Sequence, residues 1–265
     1  MDFTGGYDDA AVAAFYEHVV PYRNRADVAF FVEEAARSGG PVLELGCGTG
    51  RVLIPTARAG IDIVGLDGAP AMLAHCRQRL ASEPDAVRDH VLALVDGDMR
   101  RFRLDRRFPL ITIPFRPFLH LLTVEDQIAC LETVRDHLDA GGRLILDLFN
   151  PSFETWANDT FPRDLPPEPS FELPDGRTVV RHIRMVGHNP FTQVLDAELV
   201  YDVSAAEGGR QQVVHRFGIR SIFRYEAEHL LARCGFEVER LYADYDRSPF
   251  GSRYPGELIF IARRR

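Results

Sequence analysis

The chain has 265 residues, of which 46% are hydrophobic and 26% are charged, a composition that indicates an ordinary globular protein with one sizeable core. Its formal net charge of -8 argues against nucleic acid as a partner, because phosphates bind basic surfaces. No apolar run approaches the ~20 residues that cross a bilayer, and the N-terminus lacks the pattern of a secretion signal, so we expect a cytoplasmic protein without a membrane partner.

Residues 8–38 have a helical pattern in two pieces. We expect the break at Pro21, because a proline inside a helix removes a backbone hydrogen bond. Asn24 suits the N-cap of the second piece.

Residues 42–45 form an apolar strand that runs directly into three glycines at every second position, Gly46, Gly48 and Gly50. Glycines with this spacing let the backbone turn tightly and approach a ligand, and the first N–H groups of the next helix are unpaired. The pattern is typical of a nucleotide pocket, although glycine clusters also occur in ordinary turns.

Two acidic residues follow the next strands at positions that suit an adenosine. Residues 61–66 predict a second buried strand that ends at Asp67, where a carboxylate can bind the ribose hydroxyls. Residues 91–95 predict a third strand that leads to Asp98, where a carboxylate can accept from the adenine amino group. Each aspartate alone is equally well explained as the cap of a turn, whereas the pair favours contact with a ligand.

Strands and helices continue to alternate beyond these motifs. The predicted elements up to residue 149 are a helix that begins at Pro70, a strand over 109–115, a helix over 124–138 that starts at Thr123 and stops at Gly141 and Gly142, and a strand over 143–149. This alternation predicts a parallel sheet with the ligand at its carboxyl edge.

Residues 150–175 are rich in proline and interrupt the alternation. They precede three strand-like runs at 177–187, 192–203 and 211–220, which predict a three-stranded antiparallel insert. The last predicted elements are a helix over 224–234 and strands over 238–242 and 257–262.

These motifs resemble those of the class I S-adenosylmethionine-dependent methyltransferases, over residues 40–150 and again from about 220. The resemblance implies an α/β, Rossmann-like fold whose seven-stranded, mostly parallel sheet has helices on both faces, plus the small antiparallel β insert of the small-molecule branch. S-adenosylmethionine is the implied cofactor and S-adenosylhomocysteine the product. The expected parts of a single domain are an N-terminal helical cap (1–38), a cofactor-binding core (39–150), the insert (151–220) and the end of the core sheet (221–265).

The resemblance also assigns residues to the cofactor. The loop over 44–50 wraps the methionine part, Asp67 binds the ribose, and Asp98 with the backbone at Met99 contacts the adenine. The region of Pro114 and Phe115 is assigned to the methionine amine and the reacting centre. The expected cofactor-binding residues are Glu44, Gly46, Cys47, Gly48, Gly50, Asp67, Gly68, Met72, Asp98, Met99, Pro114 and Phe115.

Methyl transfer needs an aligned acceptor that is uncharged or deprotonated. His120 is the leading candidate for a base, because the loop after strand four faces the transferring methyl in the family; equally, it can bond a backbone carbonyl and hold that loop. His182 and His215 on the insert are weaker candidates, each better explained by packing or by a polar position at the surface. Candidates to line the acceptor pocket are Tyr16, Tyr22, Arg25, Arg116, His182 and Tyr245.

We expect a metal-free enzyme for a small amine, because the four scattered cysteines do not suit zinc and the magnesium-binding set of the family's catechol methylators is not evident. All 31 basic residues are arginine, which excludes Schiff-base chemistry. Methylation of a hydroxyl, a non-catalytic protein that binds S-adenosylmethionine or S-adenosylhomocysteine, and, more distantly, an NAD-binding oxidoreductase stay open. The insert can roof the site or form a homodimer contact.

Overall fold

A seven-stranded sheet forms the centre of the computed structural model, which describes residues 7, 9–23, 25–205 and 208–265. Its strands are β1 (Val42–Leu45), β2 (Ile63–Asp67), β3 (Val91–Asp96), β4 (Phe108–Ile113), β5 (Leu138–Phe149), β11 (Phe236–Tyr242) and β12 (Glu257–Arg264). Their spatial order is β11-β12-β5-β4-β1-β2-β3. Only β12 runs against its two neighbours. The predicted α/β fold is confirmed, and its order reverses between β1 and β4, which is where such sheets bind ligands.

Helices cover this sheet, and several begin or end as the sequence predicts. Those described are α1 (Ala10–Tyr16), α2 (Val20–Arg23), α3 (Asp27–Ser38), α4 (Leu53–Arg58), α5 (Pro70–Ala81), α6 (Asp85–Arg88), α7 (Val124–His137), α8 (Phe153–Ala157) and α9 (Arg224–Arg233). The Thr123 hydroxyl caps α7 by accepting from the Asp126 N–H at 3.1 Å, and Pro70 stands in the first turn of α5. Within the described ranges, no helix combines the length and apolar character needed to span a bilayer.

Two predicted breaks are wrong. Pro21 lies inside the first turn of α2, where no N–H has to be donated, so the proline is tolerated and the chain forms three helices instead of two. The predicted N-cap Asn24 lies outside the described residues. Gly141 and Gly142 do not stop α7, because β5 already begins at Leu138; Gly141, at φ 74°, lies in an irregular stretch of that strand, where its pairing with β4 shifts register.

The insert contains two more strands than the three that were predicted. Its strands are β6 (Arg163–Asp164), β7 (Phe171–Glu172), β8 (Thr178–Asn189), β9 (Val194–Ser204) and β10 (Arg210–Arg220). The three long strands match the predicted runs, and all pairings are antiparallel in the order β10-β9-β8-β6, with β7 also on β8. The two-residue strands β6 and β7 come from the proline-rich segment and were not predicted, because two residues carry no periodicity.

Helix α1 lies between the insert and the main domain. Val12 and Phe15 pack against insert residues such as Tyr201, whereas Ala13 packs against Met72 of α5. Both faces of α1 therefore make apolar contacts. The helix joins the insert to the main sheet beside the point where the strand order reverses.

Candidate functional site

A cavity of about 710 Å³ lies at the carboxyl edge of the main sheet. Eleven of the twelve residues expected to bind the cofactor line it. Gly50 is the exception, because it packs inward: a Cβ there would lie 2.8 Å from the Cys76 sulfur and 3.1 Å from Ile54. The main features of the predicted site thus come together around one cavity.

The glycine loop gives this cavity its floor. Gly46 has a φ of 70°, and a Cβ on it would lie 2.7 Å from the Pro117 ring, so a larger residue is excluded. At Gly48, with a φ of 54°, no described protein atom lies within 4 Å of where a Cβ would stand. A ligand can therefore approach the main chain closely at this point.

Glu44 adds a buried carboxyl to the same wall. Its side chain is 2% exposed, and its Oε2 atom has no hydrogen-bond partner among the described residues. Burial raises the pKa of Glu44 to about 8, although the guanidinium of Arg51 acts in the opposite direction. A buried carboxyl with an unsatisfied oxygen suits a cationic ligand group such as an ammonium, so the residues present fit the implied cofactor.

Asp67 and Asp98 cap turns and also line the cavity. The Asp67 carboxylate accepts from the Gly48 N–H at 2.7 Å and from the Ala69 N–H at 2.8 Å. The Asp98 carboxylate accepts from the Arg100 N–H at 2.9 Å and from its guanidinium, whose hydrogen bonds lower the pKa of Asp98. A carboxylate has lone pairs for about four hydrogen bonds. Arg100 alone makes four such contacts with Asp98, so an adenine would have to share the Asp98 oxygens with Arg100.

Aromatic side chains form the other end of the cavity. Tyr7, Tyr16, Phe115 and His120 all line it. The Tyr7 ring lies 5.8 Å from the His120 ring, and the Tyr16 ring lies 6.3 Å from the Phe115 ring. Burial raises the pKa of both tyrosines, so their hydroxyls stay neutral.

His120 lines the cavity and also bonds a backbone carbonyl, so its position is compatible with either of its two expected roles. Its Nδ1 lies 3.2 Å from the carbonyl oxygen of Gly218 in β10, and because a carbonyl only accepts, Nδ1 carries the hydrogen. Burial, followed by the influence of His215, lowers the pKa of His120 to about 4. The ring is therefore neutral near pH 7, with its basic lone pair on Nε2.

Four expected pocket residues lie behind Phe115 instead of in the cavity wall. The Tyr22 ring is 4.7 Å from the Phe115 ring, and the Arg25 guanidinium is 4.9 Å from it. Arg116 forms an ion pair with Glu257, and Tyr245 donates a hydrogen bond to Asp147.

The structure also corrects the expectation for His182. Its neighbour Arg181 points toward α2 and bonds Tyr22. Because side chains alternate along a strand, His182 points to the opposite face of the insert, where Asp164 lies 3.6 Å away. By contrast, the weaker candidate His215 is buried with its ring 4.5 Å from that of Tyr7.

Three residues at or beside the site were not predicted. Arg51 lines the cavity, bonds Asp27 at 2.6 and 2.9 Å, and lies 4.5 Å from the centre of the Phe115 ring. Its position directly after the glycine loop was a usable signal. Asp147 could have been noticed in the sequence as a lone carboxylate in an apolar strand, whereas no sequence pattern marks Tyr7 as a site residue.

Comparison with known proteins gives this geometry a family. Residues 42–142 match the family described as "Methyltransferase domain". The dTDP-3-amino-3,4,6-trideoxy-alpha-D-glucopyranose N,N-dimethyltransferase of Streptomyces venezuelae is 32% identical over 216 residues, which cover 82% of this chain and 83% of that protein.

Solved structures agree with this relationship. The CcbJ methyltransferase of Streptomyces caelestis has the same fold, with a TM-score of 0.75 at 24% identity over 96% of each chain. CalS10 of Micromonospora echinaspora, an amino pentose methyltransferase with SAM bound, has a TM-score of 0.66 at 26% identity over 92% of this chain and 94% of its own. These relatives are methyltransferases and do not support the oxidoreductase that the glycine loop left open. The chain therefore belongs to the S-adenosylmethionine-dependent methyltransferases, with S-adenosylmethionine as its cofactor.

Proposed function

We propose that this methyltransferase methylates the nitrogen of a small-molecule amine, with amino sugars as the favoured acceptor class. The Streptomyces venezuelae relative is named as an N,N-dimethyltransferase of a dTDP-amino sugar, and CalS10 is described as an amino pentose methyltransferase. The proposal depends mainly on the state of His120, as follows.

When bound, S-adenosylmethionine supplies a methyl group on a positively charged sulfur, which an acceptor attacks in line. In this proposal Glu44 and the main chain at Gly48 bind its methionine part, Asp67 its ribose, and Asp98 with the Met99 backbone its adenine. All five line the cavity. The end of the cavity formed by Phe115 and the other aromatic residues would then be left for the acceptor.

His120 favours an amine over a hydroxyl. Its pKa of about 4 makes it a weak base, which is poorly matched to removing a proton from an alcohol during attack. A neutral amine attacks through its own lone pair and only afterwards has a proton to lose. The product ammonium can leave with that proton, because an amine is a far stronger base than Nε2 of His120.

The aromatic wall supports the same choice. Methylation of a neutral amine creates a cation, and cations are stabilised by the faces of aromatic rings. Tyr7, Tyr16 and Phe115 provide such rings at the cavity, and the pKa values of the two tyrosines are raised, so neither hydroxyl adds a negative charge.

Matched acceptors test the proposal. The purified protein is incubated with S-adenosylmethionine and pairs of sugars that differ only in an amino or a hydroxyl group at one carbon. S-adenosylhomocysteine release and the mass and position of the added methyl are measured. We expect N-methyl products from amino sugars and none from their hydroxyl partners. O-methyl products would overturn the choice of nitrogen, and calorimetric binding of S-adenosylhomocysteine without turnover of any acceptor would favour the non-catalytic alternative.

A further inference from the structure

We propose that Asp147 and Tyr245 are positioning residues for methyl transfer, because they hold the Phe115 backbone in a left-handed conformation that places its ring in the cavity wall. This inference rests on the proposed function only for its effect on turnover. Its structural part concerns a hydrogen-bonded network behind the cavity and can be tested without an acceptor.

The loop after β4 contains two consecutive residues in an unfavourable backbone region. Phe115 has a φ of 68° and Arg116 a φ of 70°. Residues with a Cβ rarely adopt this region, and two in succession persist only when surrounding contacts stabilise them. β4 ends at Ile113, and the left-handed pair follows after Pro114. Phe115 thus joins the cavity wall through a turn that needs external support.

Asp147 supplies that support at the backbone. Its Oδ1 accepts from the Phe115 N–H at 2.7 Å, and its Oδ2 accepts from the Tyr245 hydroxyl at 2.6 Å. The carboxyl is fully buried in β5, so both of its oxygens need protein partners. Tyr245 comes from the segment between β11 and β12. The Phe115 turn is therefore held by two distant parts of the sheet.

Arg25 connects this network to the Phe115 ring. Its guanidinium donates to the Tyr245 hydroxyl at 3.0 Å and lies 4.9 Å from the centre of the Phe115 ring. The Arg51 guanidinium lies 4.5 Å from the same ring, and the Tyr22 ring packs at 4.7 Å. Removing the Tyr245 hydroxyl leaves Asp147 with one fewer donor and Arg25 with one fewer acceptor, so both the backbone and the ring become less constrained.

Small displacements at a methyl-transfer site have large effects on rate, since a shift of about 1 Å costs about 100-fold when in-line alignment is lost. Glu44, Asp67 and Asp98, which would bind most of the cofactor, lie outside this network, so cofactor affinity should change less than kcat even though Phe115 also lines the cavity. The expected signature is a lower kcat with nearly unchanged binding of S-adenosylhomocysteine.

The first measurement is amide hydrogen exchange at Phe115 in the full-length protein. Tyr245→Phe removes only the hydroxyl, and we expect the Phe115 amide to exchange at least about tenfold faster than in the wild type. Tyr242→Phe is the matched control: Tyr242 packs against Phe30 nearby, and among the described residues the hydrogen bonds to the Asp147 carboxylate come from Phe115 and Tyr245, so the Tyr242→Phe variant should exchange at the wild-type rate. Unchanged exchange in Tyr245→Phe would overturn the inference.

The second measurement separates positioning from a general structural role. With the amine that gives the highest turnover in the acceptor screen, Tyr245→Phe should lower kcat about tenfold while changing the Kd for S-adenosylhomocysteine by less than about threefold. Equal losses in both quantities, or an unchanged kcat, would contradict the proposal. If the wild type methylates no amine, the proposed function fails, and the exchange result still decides whether Asp147 and Tyr245 hold Phe115.

Discussion

Replacing Glu44 by glutamine should abolish a proton release that accompanies cofactor binding. In the ligand-free protein, burial raises the pKa of Glu44 to about 8, so the carboxyl is almost fully protonated at pH 6.5. A bound methionine ammonium favours the ionised carboxylate. Binding of S-adenosylhomocysteine at this pH should therefore release about one proton from Glu44.

The same linkage gives the size of the effect on affinity. Ionising a carboxyl below its pKa costs about 1.4 kcal/mol for each pH unit. Affinity for S-adenosylhomocysteine should thus rise about ninefold from pH 6 to pH 7, because the ionised fraction of Glu44 rises by about that factor. Glu44→Gln should show almost no change over this range.

The raised pKa of Glu44 has the opposite effect on folding: as the pH rises, affinity for the ligand increases but the stability of the ligand-free protein decreases. The folded pKa of Glu44 lies above its unfolded value, so the unfolded chain ionises first as the pH rises. Glu44 therefore makes the ligand-free protein less stable between about pH 4.5 and pH 8, by about 1.4 kcal/mol for each unit. The difference in unfolding free energy between wild type and Glu44→Gln isolates this term from other titrating groups.

Isothermal calorimetry measures the proton directly. S-adenosylhomocysteine is titrated at pH 6.5 in two buffers of different ionisation enthalpy, and the difference in heat gives the number of protons released. We expect about one for the wild type and near zero for Glu44→Gln. Glu34→Gln is the matched control, because Glu34 is also buried but pairs with Arg37 and Arg247. A wild-type value near zero, or equal values in all three proteins, would refute the assignment of Glu44.

Three further changes test other parts of the molecule. Asp67→Ala should weaken S-adenosylhomocysteine binding about 10- to 100-fold in calorimetry, because a hydrogen bond to a carboxylate contributes about 1.5 to 3 kcal/mol; unchanged affinity in a folded variant would contradict the ribose assignment. His120→Ala removes part of the aromatic end of the cavity, so acceptor alignment and kcat should fall about 10- to 100-fold while affinity for S-adenosylhomocysteine falls by less than about threefold, and equal effects would indicate a structural role. Arg181→Met removes one partner of a buried ion pair with Glu168 and should lower the urea unfolding free energy by about 3 kcal/mol; a loss below about 1 kcal/mol would show that the pair is not needed.

The cofactor end of the site could be predicted because its residues are local in the sequence. Gly46 and Gly48 belong to one loop, Asp67 is the last residue of β2, and Asp98 comes two residues after the end of β3. Neighbouring parallel strands bring their carboxyl ends to one edge. Strand identity and spacing alone therefore place these residues around the same cavity.

The acceptor end could be predicted only in part, because its residues come from distant segments. Tyr245 and Arg25 were expected to line the cavity, but the left-handed φ of Phe115 turns its ring in front of them. Nothing in a single sequence indicates positive φ at a residue with a Cβ. His182 and His215 illustrate a second difficulty, since the face each one occupies depends on which side of the insert meets α1.

The cofactor end and the proposed acceptor end of the cavity are built from different segments of the chain. In the proposed function, the acceptor wall combines Tyr16 of α1, Phe115 of the β4 loop and His120, which β10 of the insert holds through the Gly218 carbonyl. None of these contacts involves Asp67 or Asp98. Sequence changes in α1 and the insert can therefore reshape the acceptor wall while the cofactor contacts stay constant, which is a physical route by which one cofactor site serves relatives named for different acceptors.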